Sequence, residues 1–389
     1  MDIAQHNRKL VHYGKYVFAL STLLPFRRGN KKPTETLSTA ELLARYPERV
    51  KMLWRESAGI QQGNHPTSPL ETVNANQADE GFVMEIAGGW CHGRHCDWIG
   101  LDDVVLSEPR EKEGRFAPKP IPGGRLNPRY YRRLLTTPRR LPRPIHVDGT
   151  VMVLNKSGSH NYFHWLCEVL PRLELARQAG VAQADAYLVD CHKPFQRQAL
   201  ELLGVPLEKV IQPHEGLLVQ AERLIVPSYA TAASRRCLSE TVLMRSGVQS
   251  DSKSGAGVRR IYVSRRHARK RSLGNEAEVA ALLAAHGFEI LCLEQFHLAD
   301  QIRKFSDAAI VVGLHGAGLT NILWCRSAVQ LIEIIPQNYA RDYFELLASE
   351  LAIPYQQVVA TRKIRRSTFQ CPLESLETVA SNAIAAIET

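Results

Sequence analysis

The chain has 389 residues, enough for two ordinary domains that each bury a core of their own. Apolar residues make up 44% and charged residues 23%, a globular balance that excludes wholesale disorder, a collagen-like chain and a membrane-embedded one. Lys and Arg outnumber Asp and Glu by 49 to 39, and the resulting +10 attracts phosphate, whether on a nucleotide, a nucleic acid or a lipid headgroup.

Along the chain, the first apolar run is Tyr16 to Phe26, broken by Ser21, Thr22 and Pro25. It is too short to span a bilayer and has no small-residue cleavage site before the next charges, so neither a membrane span nor a secretory signal is expected. A first core helix or strand is the expected reading; docking on an anionic membrane surface is the alternative. Ser38-Thr-Ala-Glu41 has the spacing of a capping box and predicts a short helix ending before Pro47. The remainder of 1–145 reads as irregular, partly packed on the first lobe. Within it, Pro118 to Pro144 is a Pro- and Arg-rich extended strap, read as a solvated surface connection. Aromatic interleaving there is limited to Tyr130-Tyr131, so nucleic-acid contact is not expected.

From Val151 the pattern alternates. A strand at Val151–Leu154, a helix from His160 to Ala179 closed by Gly180, a strand at Ala186–Val189, a helix at Phe195–Leu203 and a strand at Leu224–Val226 are predicted. Ser246 to Gly257 reads as a linker. Strands at Arg260–Val263, Glu289–Leu293, Ala309–Val312, Gln330–Ile335 and Gln356–Val359 then alternate with helices beginning near Asn275, Leu298, Gly318 and Arg341. That alternation predicts an α/β fold with parallel strands, a first lobe over 146–250 and a second over 258–371. The final helix, Leu373 to Ile387, is expected to pack back on the first lobe. Ligands of such sheets bind beyond the carboxyl ends of the strands.

Three groups of residues can carry chemistry. Gly313-Leu-His315-Gly316-Ala317-Gly318-Leu-Thr320-Asn321 follows a buried strand and opens a helix, a place where bare backbone N–H groups and the positive helix end suit a diphosphate. Its spacing is not G-x-G-x-x-G, so a dinucleotide fingerprint is not met. Glu333, inside an apolar strand, either accepts ribose hydroxyls or pairs with a local arginine. Among Arg259, Arg260, Arg265, Arg266, Arg269, Lys270 and Arg271, position selects Arg265 and Arg266 for phosphate contact and leaves Arg269 to Arg271 as a solvated basic face. The third group is Asn161, His164 and Glu168, which share one helical face and can act as a base with its orienting partners. The alternative there is a polar helix start in which His and Asn cap and Glu is solvated.

Cys91-His92-Gly-Arg-His95-Cys96 is too compact to surround a zinc ion and reads as a loop, and eight cysteines without a C-x-x-C pair suit reduced thiols in the cytoplasm. No D-x-D motif occurs, which weakens a metal-chelated nucleotide. No metal and no cofactor are therefore expected.

His160-Asn-Tyr-Phe-His-Trp-Leu-Cys-Glu-Val-Leu-Pro-Arg-Leu173, Ile261-Tyr-Val-Ser-Arg-Arg266, Val312-Gly-Leu-His-Gly-Ala-Gly-Leu-Thr-Asn321 and Leu331-Ile-Glu-Ile-Ile-Pro336, in that order, resemble glycosyltransferase family 61, whose bacterial members are often labelled capsular polysaccharide biosynthesis proteins. The resemblance covers roughly Val151 to Val359. It implies a GT-B-like arrangement of two Rossmann-like lobes facing a cleft, metal-independent transfer with inversion, a nucleotide-sugar donor that is usually UDP-linked, and a glycan or glycolipid acceptor. It assigns Asn161, His164 and Glu168 to catalysis on the acceptor side. On the donor side it assigns Arg265, His315, Gly316, Gly318, Thr320 and Glu333, to which position in the same motifs adds Arg266, Ala317 and Asn321. Many relatives carry Asp where this chain has Glu168, which moves the carboxylate by about one bond. The competing functions are a nucleotide-sugar epimerase and a non-enzymatic binder of polyanions or membrane surfaces. A cytoplasmic protein, with peripheral contact at the inner face of the membrane left open, is the expected setting.

Overall fold

A computed structural model of the protein describes residues 33, 35–56, 81–106, 141–248, 259–268, 271–326, 329–337, 339, 341–362 and 368–388. Tyr16 to Phe26, most of the Pro- and Arg-rich strap, most of the linker after Ser246, and Arg269 and Lys270 lie outside those residues.

The fold is mixed α/β, built on two sheets. The first has ten strands: β1 Glu35–Leu37, β2 Val50–Arg55, β3 Phe82–Ala87, β4 Trp90–His92, β5 Trp98–Leu101, β6 Val104–Leu106, β7 Ile145–Val153, β8 Ala186–Leu188, β9 Val210–Ile211 and β10 Leu218–Pro227. β10, β7, β8 and β9 run parallel as the β-α alternation predicts. The stretch expected to be irregular instead supplies six strands, β1 to β6, and β3 and β4 pair antiparallel with β10. These strands pair mainly with each other and with β10, partners that lie outside each strand's own window of sequence. The predicted capping box is present: Ser38 Oγ accepts from Glu41 N–H, and the Glu41 carboxylate accepts from the Ser38 N–H at 2.8 Å.

The second sheet is ordered β12-β17-β16-β15-β14-β11-β13, with β11 Arg259–Val263, β12 Ser272–Leu273, β13 Phe288–Leu291, β14 Ala308–Leu314, β15 Gln330–Pro336, β16 Tyr355–Arg362 and β17 Thr368–Gln370. From β16 to β13 it is parallel, and its central strands are apolar on both faces because helices cover both. The last helix, Leu373–Glu388, packs on this second sheet and not on the first: Leu376, Ala380 and Ala383 join the cluster of Ile310, Val312 and Ile332. Small residues along one helix face let it lie close on its own sheet, a preference that the apolar pattern alone does not reveal.

One apolar core runs through both halves. β7 alternates, sending Val151 and Val153 to one cluster and Met152 and Leu154 to the other, and the second cluster continues through Trp165, Leu170 and Leu173 to Ile322, Trp324 and Phe344. The helix Ala232–Arg245, which the alternation did not predict, adds a buried ion pair across the halves. Arg235 Nε and Nη2 donate to the two carboxylate oxygens of Glu350 at 2.7 and 2.8 Å, with both side chains 3% exposed. Among the described residues no helix is long and apolar enough to cross a membrane.

Because removing one member strands a buried charge, Glu350→Ala is expected to lower the unfolding free energy by about 3–5 kcal/mol, whereas an Arg235→Met/Glu350→Leu double variant recovers most of that loss. Urea unfolding of the three chains checks it; a double variant no better than the single one refutes the account.

Candidate functional site

The helix after β7 is not uniform. An α turn, Tyr162–His164, passes into a π turn, Trp165–Val169, and then into an α-helix, Pro171–Gln178. Pro171 has no N–H to continue the ladder, and the Leu170 N–H reaches back five residues to the Trp165 carbonyl at 3.0 Å. In this setting His164 and Glu168 meet, with Nδ1 to Oε2 at 2.9 Å, and Lys156 from the loop after β7 makes an ion pair with the same oxygen. Burial raises the Glu168 carboxyl, but the Lys156 ammonium and the His164 ring outweigh it and hold the group down at about 2. An ionised carboxylate only accepts, so the His164 Nδ1 donates and Nε2 carries the lone pair in the neutral ring. Asn161 stands apart from this trio: it is exposed and caps the helix, its Oδ1 accepting from the Phe163 N–H at 2.9 Å. The capping alternative therefore holds for Asn161 but not for Glu168, which is buried and paired.

Arg172 anchors the same helix. Its guanidinium, buried and pushed down by burial, donates to the carbonyls of Leu154, Asn155, Pro227 and Ser228 at 2.8–3.0 Å, gathering the ends of β7 and β10.

In the second half, His315 directly follows the last residue of β14. Its Nδ1 lies 2.5 Å from Glu333 Oε1, and Glu333 Oε2 accepts from the Tyr355 hydroxyl at 2.7 Å. Both Glu333 oxygens are thus occupied and the side chain is fully buried, so it orients His315 and does not face a ribose. The partner is a histidine and not the local arginine that sequence offered. Arg265 lies over Gly316, where an added Cβ would stand 1.9 Å from its Nη1. An added Cβ at Gly318 would press on Val263 and Leu293 at 2.9 and 3.0 Å. The anticipated α-helix after the glycines is a 3-10 helix, Ala317–Trp324. Within it Asn321 is spent on structure: Nδ2 donates to Gln301 and to the Gly318 carbonyl, and Oδ1 accepts from Tyr162 and Trp324, leaving no amide group for a phosphate. Thr320 is fully buried, its hydroxyl without a hydrogen-bond partner among the described residues. Arg266 is exposed and donates from Nε to Cys292 Sγ.

Sequence reasoning missed four residues here. Arg271, assigned to a solvated face, turns inward at φ +54°, donating to the His315 carbonyl at 3.2 Å and to the Tyr339 hydroxyl at 3.0 Å. Tyr339 packs its ring 4.6 Å from His315. Tyr343 has its ring centroid 6.3 Å from that of His164 and 6.4 Å from that of His315, so one aromatic ring lies beside both histidines. Lys156 lies in an Asn-Lys-Ser-Gly turn with no motif signal. Of the Cys91–Cys96 stretch, expected to be a loop, Cys91 and His92 lie on β4 and only the residues after them form the hairpin turn to β5; His92 Nδ1 is bonded to the Leu217 carbonyl at 2.6 Å. A cavity of about 370 Å³ between His192, Arg197 and His297 contains neither histidine pair.

The structure thus holds one histidine–carboxylate pair in the first half, and in the second another such pair with Arg265 and Arg271 close to its loop. Residues 162–332 match the family model described as Glycosyltransferase 61, a span that includes both histidines, Glu168 and Arg265. A β-1,2-xylosyltransferase of Arabidopsis thaliana is 36% identical over 63 residues, 16% of this chain and 12% of that protein. The β-1,2-xylosyltransferase RCN11 of Oryza sativa subsp. japonica is 31% identical over 62 residues, again 16% and 12%. The mouse protein O-linked-mannose β-1,4-N-acetylglucosaminyltransferase 2 is 26% identical over 271 residues, 60% of this chain and 46% of that protein. The matches span less than half the length of each relative. Over that span the chain is similar to glycosyltransferase family 61, and the relatives are plant and mouse transferases, not of the bacterial capsular type.

Glu168 titrates below an unperturbed carboxyl, so its ionised form stabilises the fold at pH above about 4.5, and that contribution, about 3 kcal/mol, is lost as pH falls toward 2. The gap in unfolding free energy between the wild-type protein and Glu168→Gln should accordingly be widest above pH 5 and narrow on acidification. Parallel stability curves would contradict the pairing.

Proposed function

We propose that the protein is an inverting glycosyltransferase with a GT-B-like arrangement, moving a sugar from a nucleotide-sugar donor, UDP-linked, to a hydroxyl of a glycan acceptor. The observation that carries this reading is that the Tyr343 ring lies beside both His164 and His315, so the candidate base and the glycine loop, both within the span matching the transferase family, flank one aromatic ring.

His164 Nε2 takes the acceptor hydroxyl proton, with Glu168 fixing the tautomer and stabilising the imidazolium that forms. Glu168 itself, held at about 2, is too weak a base for this step at neutral pH and serves through His164. The acceptor oxygen attacks the anomeric carbon from the face opposite the diphosphate. The bond from that carbon to the phosphate oxygen breaks, and its electron pair leaves with the nucleoside diphosphate. Arg265 stabilises the growing charge, aided by the N–H groups that open the 3-10 helix, while His315, held by Glu333, lines the loop. Gly316 belongs to this set because any side chain would displace the Arg265 guanidinium. A membrane-linked or capsular acceptor fits the same chemistry and rests on the sequence resemblance alone.

His164→Ala is expected to lower kcat by about 10²- to 10⁴-fold while nucleoside diphosphate still raises the melting temperature. Gly316→Ala should do the reverse, weakening that thermal shift first. Sugar transfer assays over a panel of donors, paired with thermal shifts, read both; a folded His164→Ala protein with near-normal turnover sinks the assignment.

A further inference from the structure

At the loop edge of the second sheet, β11 and β13 end side by side, with Val263 opposite Leu291. Both chains then turn tightly. The Ala268 N–H donates to the Arg265 carbonyl at 2.8 Å, closing the turn that carries His267, and a 3-10 turn, Leu293–Gln295, follows Cys292. These turns bring a ring nitrogen of His267, Sγ of Cys292 and a carboxylate oxygen of Glu294 within 4.8 Å of one another. Cys292 is buried, whereas His267 and Glu294 are open to solvent. None of the three has a part in the proposed transfer.

We propose that His267, Cys292 and Glu294 form a site for a divalent transition-metal ion, Zn²⁺ by preference. A sulfur, an imidazole nitrogen and a carboxylate oxygen are the donor set that suits zinc; calcium and magnesium take oxygen ligands. Zinc bonds of about 2.0–2.3 Å need closer approach than 4.8 Å, and the two exposed side chains supply it by rotating, while the buried sulfur stays fixed. Three protein ligands leave a fourth position for water. The Arg266 Nε–H, which donates to Cys292 Sγ at 3.1 Å, occupies one lone pair and acts as the outer hydrogen bond that orients a metal ligand. Its positive charge, and that of Arg265, oppose the ion; the carboxylate of Glu294 and the sulfur of Cys292, ionised once it binds metal, offset them.

The test uses the full chain and Co²⁺ as a spectroscopic stand-in for zinc, without donor or acceptor, so its outcome is independent of the transferase reading. Co²⁺ should give a near-ultraviolet sulfur-to-cobalt charge-transfer band with strong visible bands of a four-coordinate ion, both abolished by Zn²⁺. Cys292→Ser should remove the charge-transfer band. His267→Ala and Glu294→Gln, both at exposed positions, should weaken Zn²⁺ binding by at least about tenfold, the loss that an outer partner alone already brings. No charge-transfer band on saturation with Co²⁺, or a band that survives in Cys292→Ser, overturns the proposal, as does unchanged affinity in both exposed variants.

Discussion

The Arg172 guanidinium is the constraint from which the first half of the site is built. Buried among apolar residues, it survives because carbonyls at the ends of two parallel strands supply it with acceptors on several sides. The strand ends are thereby tied to the helix that carries His164 and Glu168. Asn155, whose carbonyl is one of those acceptors, is followed directly by Lys156, so the anchor that fixes the helix also fixes the origin of the ammonium that holds Glu168 ionised. Asn155 extends the network sideways, its amide donating to the Arg94 carbonyl and accepting from the Asp190 N–H.

The two halves meet through groups that cannot be parted cheaply. The Tyr162 hydroxyl reaches Asn321 at 2.9 Å, the Leu298 N–H donates to Gln198, and the buried Arg235–Glu350 pair adds to the join that Trp324 and Phe344 fill with apolar surface. Asn321 serves this join, all of its amide groups already engaged. The division of labour inside one short motif is physical: residues at the start of the 3-10 helix face the loop edge, and those one turn later point into the core.

Much of the second sheet was legible because its strands are apolar, β-branched and punctuated by helices, and the loop-edge rule then located the histidine and the glycines. The His164–Glu168 pair was legible from spacing alone. Lys156, Arg271 and Tyr343 were not, since each reaches the site from a turn or helix start outside the motif it serves, and a single basic or aromatic residue there looks like any solvated one. Glu333 was flagged for the right reason, an acid in an apolar strand, yet its partner depended on cross-strand neighbours, His315 and Tyr355, that only the sheet order reveals. The short strands β1 to β6 escaped notice because they borrow stability from pairing with β10 and with each other, a gain no local window contains.

The π turn between Trp165 and Val169 holds one residue more than an α-helix would accommodate there. Deleting a residue from it would restore ordinary winding without turning the flanking segments, and a deletion between His164 and Glu168 would shorten the spacing that lets the two side chains meet. Substitutions along this segment change its chemistry, whereas a change in its length changes which groups stand over one another, so the count of residues from the imidazole to the carboxylate is itself part of the site.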